Sequence, residues 1–181
     1  MKYSYFLLIL LLVYVLFEAL LFYYKFNKRP VLVEFVHLEK TLGSYGPNLR
    51  YIAAGDSTAV GMGASDVSKT YPNNVAEEFS KNNTVIYKNI GVVGAKTQDV
   101  LDKQVQQIID FKPSVVTISI GGNDATHMLS AKKVAGNYKK IVEEILEKTE
   151  AIIYITTVPN FGWAEILPWF YRDLIEYRYA K

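Results

Sequence analysis

No cysteine occurs anywhere in this 181-residue sequence, and only two histidines do, His37 and His127. The first absence excludes disulfides, a thiolate nucleophile and thiolate-bound metals, and it is compatible with either side of a membrane. Two histidines so far apart in the chain form no ligand cluster, so no metal is expected. An excess of one charge is missing too: 20 basic and 18 acidic residues leave a net charge of +2. That is too little for a nucleic-acid partner, and no basic, aromatic-rich patch stands out. Neither Gly-x4-Gly-Lys-Ser/Thr nor Gly-x-Gly-x-x-Gly is present, so no phosphate cradle or dinucleotide turn can be drawn, and no cofactor is expected. Internal repeats and low-complexity tracts are absent as well.

What the chain has in quantity is apolar surface, since half of its residues are hydrophobic in a length typical of one domain. Part of that surface is not core. Tyr3 to Tyr24 is a nearly uninterrupted apolar run of about 22 residues, which as a helix rising 1.5 Å per residue spans the roughly 30 Å hydrocarbon layer. Aromatic residues mark both ends, with Tyr3, Tyr5 and Phe6 at one and Phe22, Tyr23 and Tyr24 at the other, as in interfacial belts. Glu18 is the exception; it falls near the second end, where it reaches headgroups or is protonated. The run is longer and poorer in polar residues than an amphipathic core helix needs, and no small-x-small cleavage site follows it. A single-pass N-terminal anchor over residues 1–26 is therefore expected, with the membrane contacted through residues 3–24. Lys2 before the run and Lys25, Lys28 and Arg29 after it leave its orientation undecided by charge.

Residues 27–48 read as a linker, with an apolar patch at Val31 to Val36 that could form a short strand or hug the membrane. From Leu49 onward a strand through Tyr51-Ile52-Ala53-Ala54 is followed by a helix Tyr71 to Lys81, a strand Thr84 to Asn89 and a helix Thr97 to Phe111. A strand Ser114 to Ile120, a helix Lys132 to Thr149, a strand Ala151 to Thr156 and a helix Trp169 to Tyr179 complete the pattern. Strands alternating with helices predict an α/β fold, a parallel sheet with helices on both faces.

Three strand-to-helix turns in that order carry the chemistry. Gly55-Asp56-Ser57 leaves the first strand, and the Gly-rich stretch after it permits a tight turn. A serine hydroxyl becomes a nucleophile when a base takes its proton and exposed donors stabilise the oxyanion, and such a turn provides the donors. Asn89-Ile90-Gly91-Val92-Val93-Gly94-Ala95-Lys96-Thr97 and Gly121-Gly122-Asn123-Asp124 follow the next two strands. Ligands of open α/β sheets bind beyond the carboxyl ends of the strands, so Ser57, Gly94 and Asn123 are expected to face one substrate. Ser57 as a plain helix N-cap is the ordinary alternative. Gly55-Asp56-Ser57-Thr58-Ala59 is not the Gly-x-Ser-x-Gly elbow of α/β-hydrolases, which points to a different fold with similar chemistry.

Gly-Asp-Ser, Asn-x-Gly-x-x-Gly-x-x-Thr and Gly-Gly-Asn-Asp in this order resemble the SGNH or GDSL family of serine esterases and lipases. The resemblance runs from Leu49 to the end, residues 49–181, and Thr157-Val158-Pro159 also reads like its bacterial branch. It implies a three-layer α/β/α, flavodoxin-like sheet, a small-molecule, lipid or carbohydrate ester as substrate, and a Ser57 nucleophile. It also implies an oxyanion hole made by the Ser57 and Gly94 amides and the Asn123 side chain. Anchored members of the family are often extracytoplasmic, so the domain is expected outside the cell.

The family places its general base and orienting acid in an Asp-x-x-His motif near the C-terminus, after a fifth strand. No such motif occurs here; the only aspartate after Asp124 is Asp173. The expectation is a sequence that stops before the last strand, the catalytic motif and the closing helix. The alternative is a non-catalytic, membrane-tethered ligand-binding relative that lacks the base. His127 lies four residues after Asn123 and would share a helix face with it, but a local hydrogen bond is the simpler role, and His37 is most simply a linker residue. Asp56 beside the nucleophile would repel an oxyanion, so a structural part in the turn is expected. Asp124 suits the start of a helix, where carboxylates cap free amides. Oligomeric state is not readable from the sequence.

Overall fold

The computed structural model describes residues 2–28, 39–156 and 167–179. Helix α1 (Lys2–Asn27) realises the apolar run, and its side chains at Leu8, Leu12 and Leu16 stay exposed. It is the one helix among the described residues long and apolar enough to cross a membrane. Glu18 has a partner one turn back, where the Tyr14 hydroxyl donates to its carboxylate at 2.8 Å.

The sheet and its helices form a unit of their own. Strands β1 (Glu39–Leu42) and β2 (Asn48–Gly55) lead into the single-turn helix α2 (Ser57–Val60), then α3 (Tyr71–Ser80) and β3 (Thr84–Asn89). A helix follows in three parts, α4 (Thr97–Asp99), a π-helical turn (Val100–Gln104) and α5 (Val105–Phe111). Strand β4 (Val115–Ser119), α6 (Gly122–Thr126), α7 (Ala131–Lys148) and β5 (Ile152–Ile155) complete this unit. Helix α8 (Trp169–Tyr179) groups with α1 in a second compact unit.

Strand order is β1-β3-β2-β4-β5. Strands β3, β2, β4 and β5 are parallel, as expected, while β1 joins the edge antiparallel, with Glu39 opposite Lys88 and Leu42 opposite Val85. The sequence allowed a short strand or a membrane-hugging segment at the Val31 to Val36 patch of the linker; that patch lies outside the described residues, and β1, which begins at Glu39, was not foreseen. Strand β5 is the opposite edge, and its Ile152, Tyr154 and Ile155 are exposed.

Residue alternation along β2 sorts the core into two layers. Side chains of successive strand residues point to opposite faces. Tyr51 and Ala53 pack with Ala76, Val85 and Tyr87 under α3, where the Tyr51 and Tyr87 rings stack at 5.3 Å. Ile52 and Ala54 pack on the other face with Ile108, Phe111, Val116, Ile118, Ile141 and Ile145, beneath α5 and α7. Helices α3 and α7 start on side-chain caps. Thr70 accepts from the Asn73 amide ahead of α3, and Ser130 accepts from the Lys133 amide ahead of α7. The chain winds from β2 outward to β3 and then crosses back to β4. Loops after β2 and β4 therefore diverge, leaving a crevice at the carboxyl ends of the strands.

Candidate active site

Strand β2 ends at Gly55, whose φ of +130° is open to glycine alone. A Cβ there would stand 1.9 Å from the Ser119 carbonyl oxygen, so glycine is also what lets the end of β2 approach the end of β4. The next amide, of Asp56, donates to that carbonyl at 2.9 Å. The Asp56 carboxylate then caps α2 by accepting from the Thr58 amide at 2.9 Å. Asp56 is thus the N-cap, and the ordinary alternative for Ser57 is excluded. Burial pushes the Asp56 carboxyl above the usual carboxylate range, against the two Thr58 hydrogen bonds and with the charge of Asp124 adding to the rise.

Ser57 occupies the first position of α2 and is half-buried. Its carbonyl accepts from the Gly61 and Met62 amides at 3.1 and 2.9 Å, which closes the turn. Its own amide and hydroxyl have no hydrogen-bond partner among the described residues. First-turn amides of a helix have no intrahelical acceptor, so this amide is a preformed anion donor.

The second turn is locked onto the first. Asn89, buried at the end of β3, donates through Nδ2 to the Ala59 carbonyl at 2.7 Å and accepts the Gly91 amide at 3.0 Å. Gly91 lies so close to α2 that a Cβ would stand 2.8 Å from the Val60 nitrogen. The Val92 amide donates to the Gly55 carbonyl at 3.0 Å. Gly94 then takes φ +79° in a tight turn closed by the Ala95 amide on the Val92 carbonyl, and the Gly94 amide is left without a partner among the described residues.

The third turn is tied to the second. Gly121 (φ +107°) starts α6, and Asn123 in its first turn donates through Nδ2 to the Ala95 carbonyl at 2.9 Å. A side-chain amide carries two N–H groups, so the second remains for a ligand. Asp124 is in the first turn of α6, as its sequence position suggests, yet it does not cap its own helix. Its fully buried carboxylate crosses to α4 and accepts from the Thr97 amide at 2.9 Å and the Thr97 hydroxyl at 2.7 Å. Asn137 of α7 donates to the same hydroxyl at 2.9 Å. Hydrogen bonds thus chain Ser57, Gly94 and Asn123 into one rigid rim.

Two cavities lie beside these turns; Gly94 lines one of them, and Ser57 and Asn123 line neither. One, of about 160 Å³, is lined by Asp56, Thr58, Tyr71, Ser119, Gly122 and Thr156. The other, of about 270 Å³, is lined by Val92, Val93, Gly94, Lys103 and Gln104 among others, and both valines are exposed.

His127 ends α6 as its C-cap residue, exposed, with Nδ1 2.7 Å from the Asn123 carbonyl oxygen. This is the local hydrogen bond that the sequence favoured. His37 and Thr157-Val158-Pro159 lie outside the described residues, and Asp173 sits on α8 in the other unit. No group of three or more metal-ligating side chains occurs among the described residues. Sequence reasoning missed Asn89 as a staple, Asn137, and above all Gln104, fully buried on the π-helical turn. Its only signal was a polar residue on the inward face of a helix otherwise lined by Val100, Val105 and Ile108.

Comparison with known proteins identifies the fold and the family. No curated protein sequence matches the chain significantly. Among solved structures, the SGNH-hydrolase family esterase AlinE4 is 25% identical, with 76% of this chain and 75% of that one covered at a TM-score of 0.54. The psychrotrophic esterase EstA from Pseudoalteromonas sp., solved as inhibited by monoethylphosphonate, is 15% identical over 72% of this chain and 69% of that one, TM-score 0.53. A catalytic mutant of the acetylxylan esterase Axe2 from Geobacillus stearothermophilus is 15% identical over 73% and 70%, TM-score 0.54. The two less similar structures share the SGNH-hydrolase α/β fold. Residues 53–179, most of the chain, match the profile of the GDSL-like lipase/acylhydrolase family, and the chain belongs to that family.

Proposed function

We propose that this protein is a membrane-anchored serine esterase that hydrolyses acyl or acetyl esters through a Ser57 acyl-enzyme. The observation that carries the reading is a Ser57 hydroxyl at the head of α2 that has no partner among the described residues, with Ser57 and Gly94 amides equally unpartnered there and one unused Asn123 N–H on the bonded rim. Ser57 Oγ bonds to the ester carbonyl carbon while its proton passes to a base, and the carbonyl oxygen gains charge between the three donors. Collapse expels the alcohol, which takes a proton, and water releases the acid by the same path. Since a donor aimed at an oxyanion is typically worth about 100- to 1000-fold in kcat, Asn123→Ala should lower kcat by that factor with little change in KM. Steady-state kinetics on a simple aryl ester checks this; an unchanged kcat removes Asn123 from the site.

A second reading has one observation in its favour: among the described residues Ser57 has no histidine partner, and the one histidine there, His127, spends Nδ1 on the Asn123 carbonyl. In that reading the protein binds an ester or acid in the same site without turning it over. Ser57-dependent turnover by the complete protein rules it out.

Helix α1 serves as the anchor in this proposal, with the sheet domain outside the cell. Support comes from its length, its exposed apolar side chains and an apolar stretch of which no described residue is buried. Because the chain has no cysteine, a single cysteine at exposed Lys81 reports orientation. A membrane-impermeant thiol reagent should label it in intact cells; labelling only after lysis would place the domain in the cytoplasm.

A further inference from the structure

Strand β3 leaves the sheet just before β2 reaches the nucleophile. Their pairing ends with Ala53 opposite Asn89 and the Ile90 amide on the Ala53 carbonyl; beyond it one bond remains, from the Val92 amide to the Gly55 carbonyl. On the other edge, β2 keeps β4 beside it to the end, with Gly55 opposite Ser119. The Gly55 C=O therefore still meets the chain that follows β3, while the Gly55 N–H on the same side has lost its strand partner. A buried N–H of this kind has to be satisfied by some other group.

Gln104 fills that place. Its Oε1 accepts from the Gly55 amide at 2.8 Å, and its Nε2 donates to the Gly55 carbonyl at 3.0 Å. A glutamine side chain ends in an amide, one acceptor and one donor in a plane, so it replaces a strand peptide at this one residue. The side chain is 1% exposed and comes from 49 residues away. It reaches Gly55 from the π-helical turn, where the Val105 amide bonds back to the Val100 carbonyl. The extra residue of such a turn lets Gln104 and Val105 both face inward, and π-bulges recur at functional sites.

We propose that Gln104 is a positioning residue for the acyl transfer, holding the Gly55 peptide and through it the Ser57 turn in register with the oxyanion loop. The Gly55 carbonyl that Gln104 grips also accepts the Val92 amide, two residues before Gly94. Gly55 is in turn two residues before Ser57. One side chain thus fixes the nucleophile and a donor relative to each other. A packing role alone would be met by leucine, which spares the desolvation of a buried amide. The inference rests on the esterase reading above.

The test measures kcat, KM and their pH dependence on an aryl ester for the full chain, its Gln104→Leu and Gln104→Glu variants, and Ser57→Ala as blank. Misplacing reacting groups by an ångström can cost about 100-fold, so Gln104→Leu should lower kcat by roughly 10- to 100-fold and leave KM nearly unchanged. Glutamate separates positioning from packing. Ionised, it accepts from the Gly55 amide but repels the Gly55 carbonyl; protonated, its O–H donates to that carbonyl and both bonds return. The ratio of Gln104→Glu to wild-type kcat should therefore rise as pH falls. A flat ratio overturns the proposal, as does a Gln104→Leu protein that melts earlier but keeps the wild-type kcat. Wild-type protein without Ser57-dependent turnover would instead sink the esterase reading, and the positioning role with it.

Discussion

Ser57→Ala should abolish ester hydrolysis by the complete protein while leaving its fold intact. The hydroxyl oxygen is the atom that forms the acyl-enzyme, and alanine leaves only binding and the oxyanion donors to act on water. Losses of this kind range from about 10³- to 10⁶-fold in kcat, according to how much the base contributes. Stability should move by less than about 0.5 kcal/mol, because Ser57 Oγ has no partner among the described residues and the cap of α2 is Asp56. Had Ser57 been the cap, its loss would cost about 1 kcal/mol. An aryl ester assay and a denaturant titration on the same preparation read both quantities. Equal turnover with and without Ser57 would end the serine-esterase reading.

Gly55→Ala should have the largest effect on folding of any single methyl addition near the site. The new Cβ would lie 1.9 Å from the Ser119 carbonyl oxygen and 2.7 Å from its carbon, both main-chain atoms at the end of β4. A φ of +130° adds strain that alanine cannot relieve without turning the peptide. Turning it would break both Gln104 bonds and the Val92 bond to the Gly55 carbonyl. A loss of at least about 3 kcal/mol is expected, a large part of the roughly 5–15 kcal/mol that holds a domain together. Gly94→Ala is the control. Nothing lies within 4 Å of a Cβ there, so only the left-handed backbone penalty of about 1–2 kcal/mol applies, and the protein should fold. Unfolding midpoints of the two variants decide the matter. A Gly55→Ala protein as stable as wild type would mean that the approach of β2 to β4 is looser than described.

Much of the fold was legible because the signals are local. Apolar alternation, capping residues and glycines put the strands and helices of the sheet domain within a residue or two of their observed ends, and Trp169–Tyr179 coincides with α8. The helix through Thr97 to Phe111 read as continuous, since periodicity over about four turns does not register one inserted residue, and the π-helical turn at Val100–Gln104 escaped notice. Strand β1 was not visible in the sequence, which read its residues as linker, because edge pairing depends on a distant partner in β3 rather than on β1's own four residues.

The sequence by itself determined the Gly55-Asp56-Ser57 turn, the Asn89 to Thr97 loop and the Asn123 turn, each a short motif whose glycines and small polar residues set their own backbone shape. It also determined the alternation of strands and helices along the chain and the apolar length of α1. Tertiary structure alone decided what those turns are bonded to. Asp124 left its own helix for Thr97, 27 residues away, and Gln104 reached Gly55 across 49. The reason is physical. A cap or a turn satisfies its polar groups within a few residues, where the pattern can be read. A buried carboxylate or amide is satisfied by whichever backbone group the sheet leaves unpaired nearby, and that is fixed only once β3 has parted from β2 and the strands have packed.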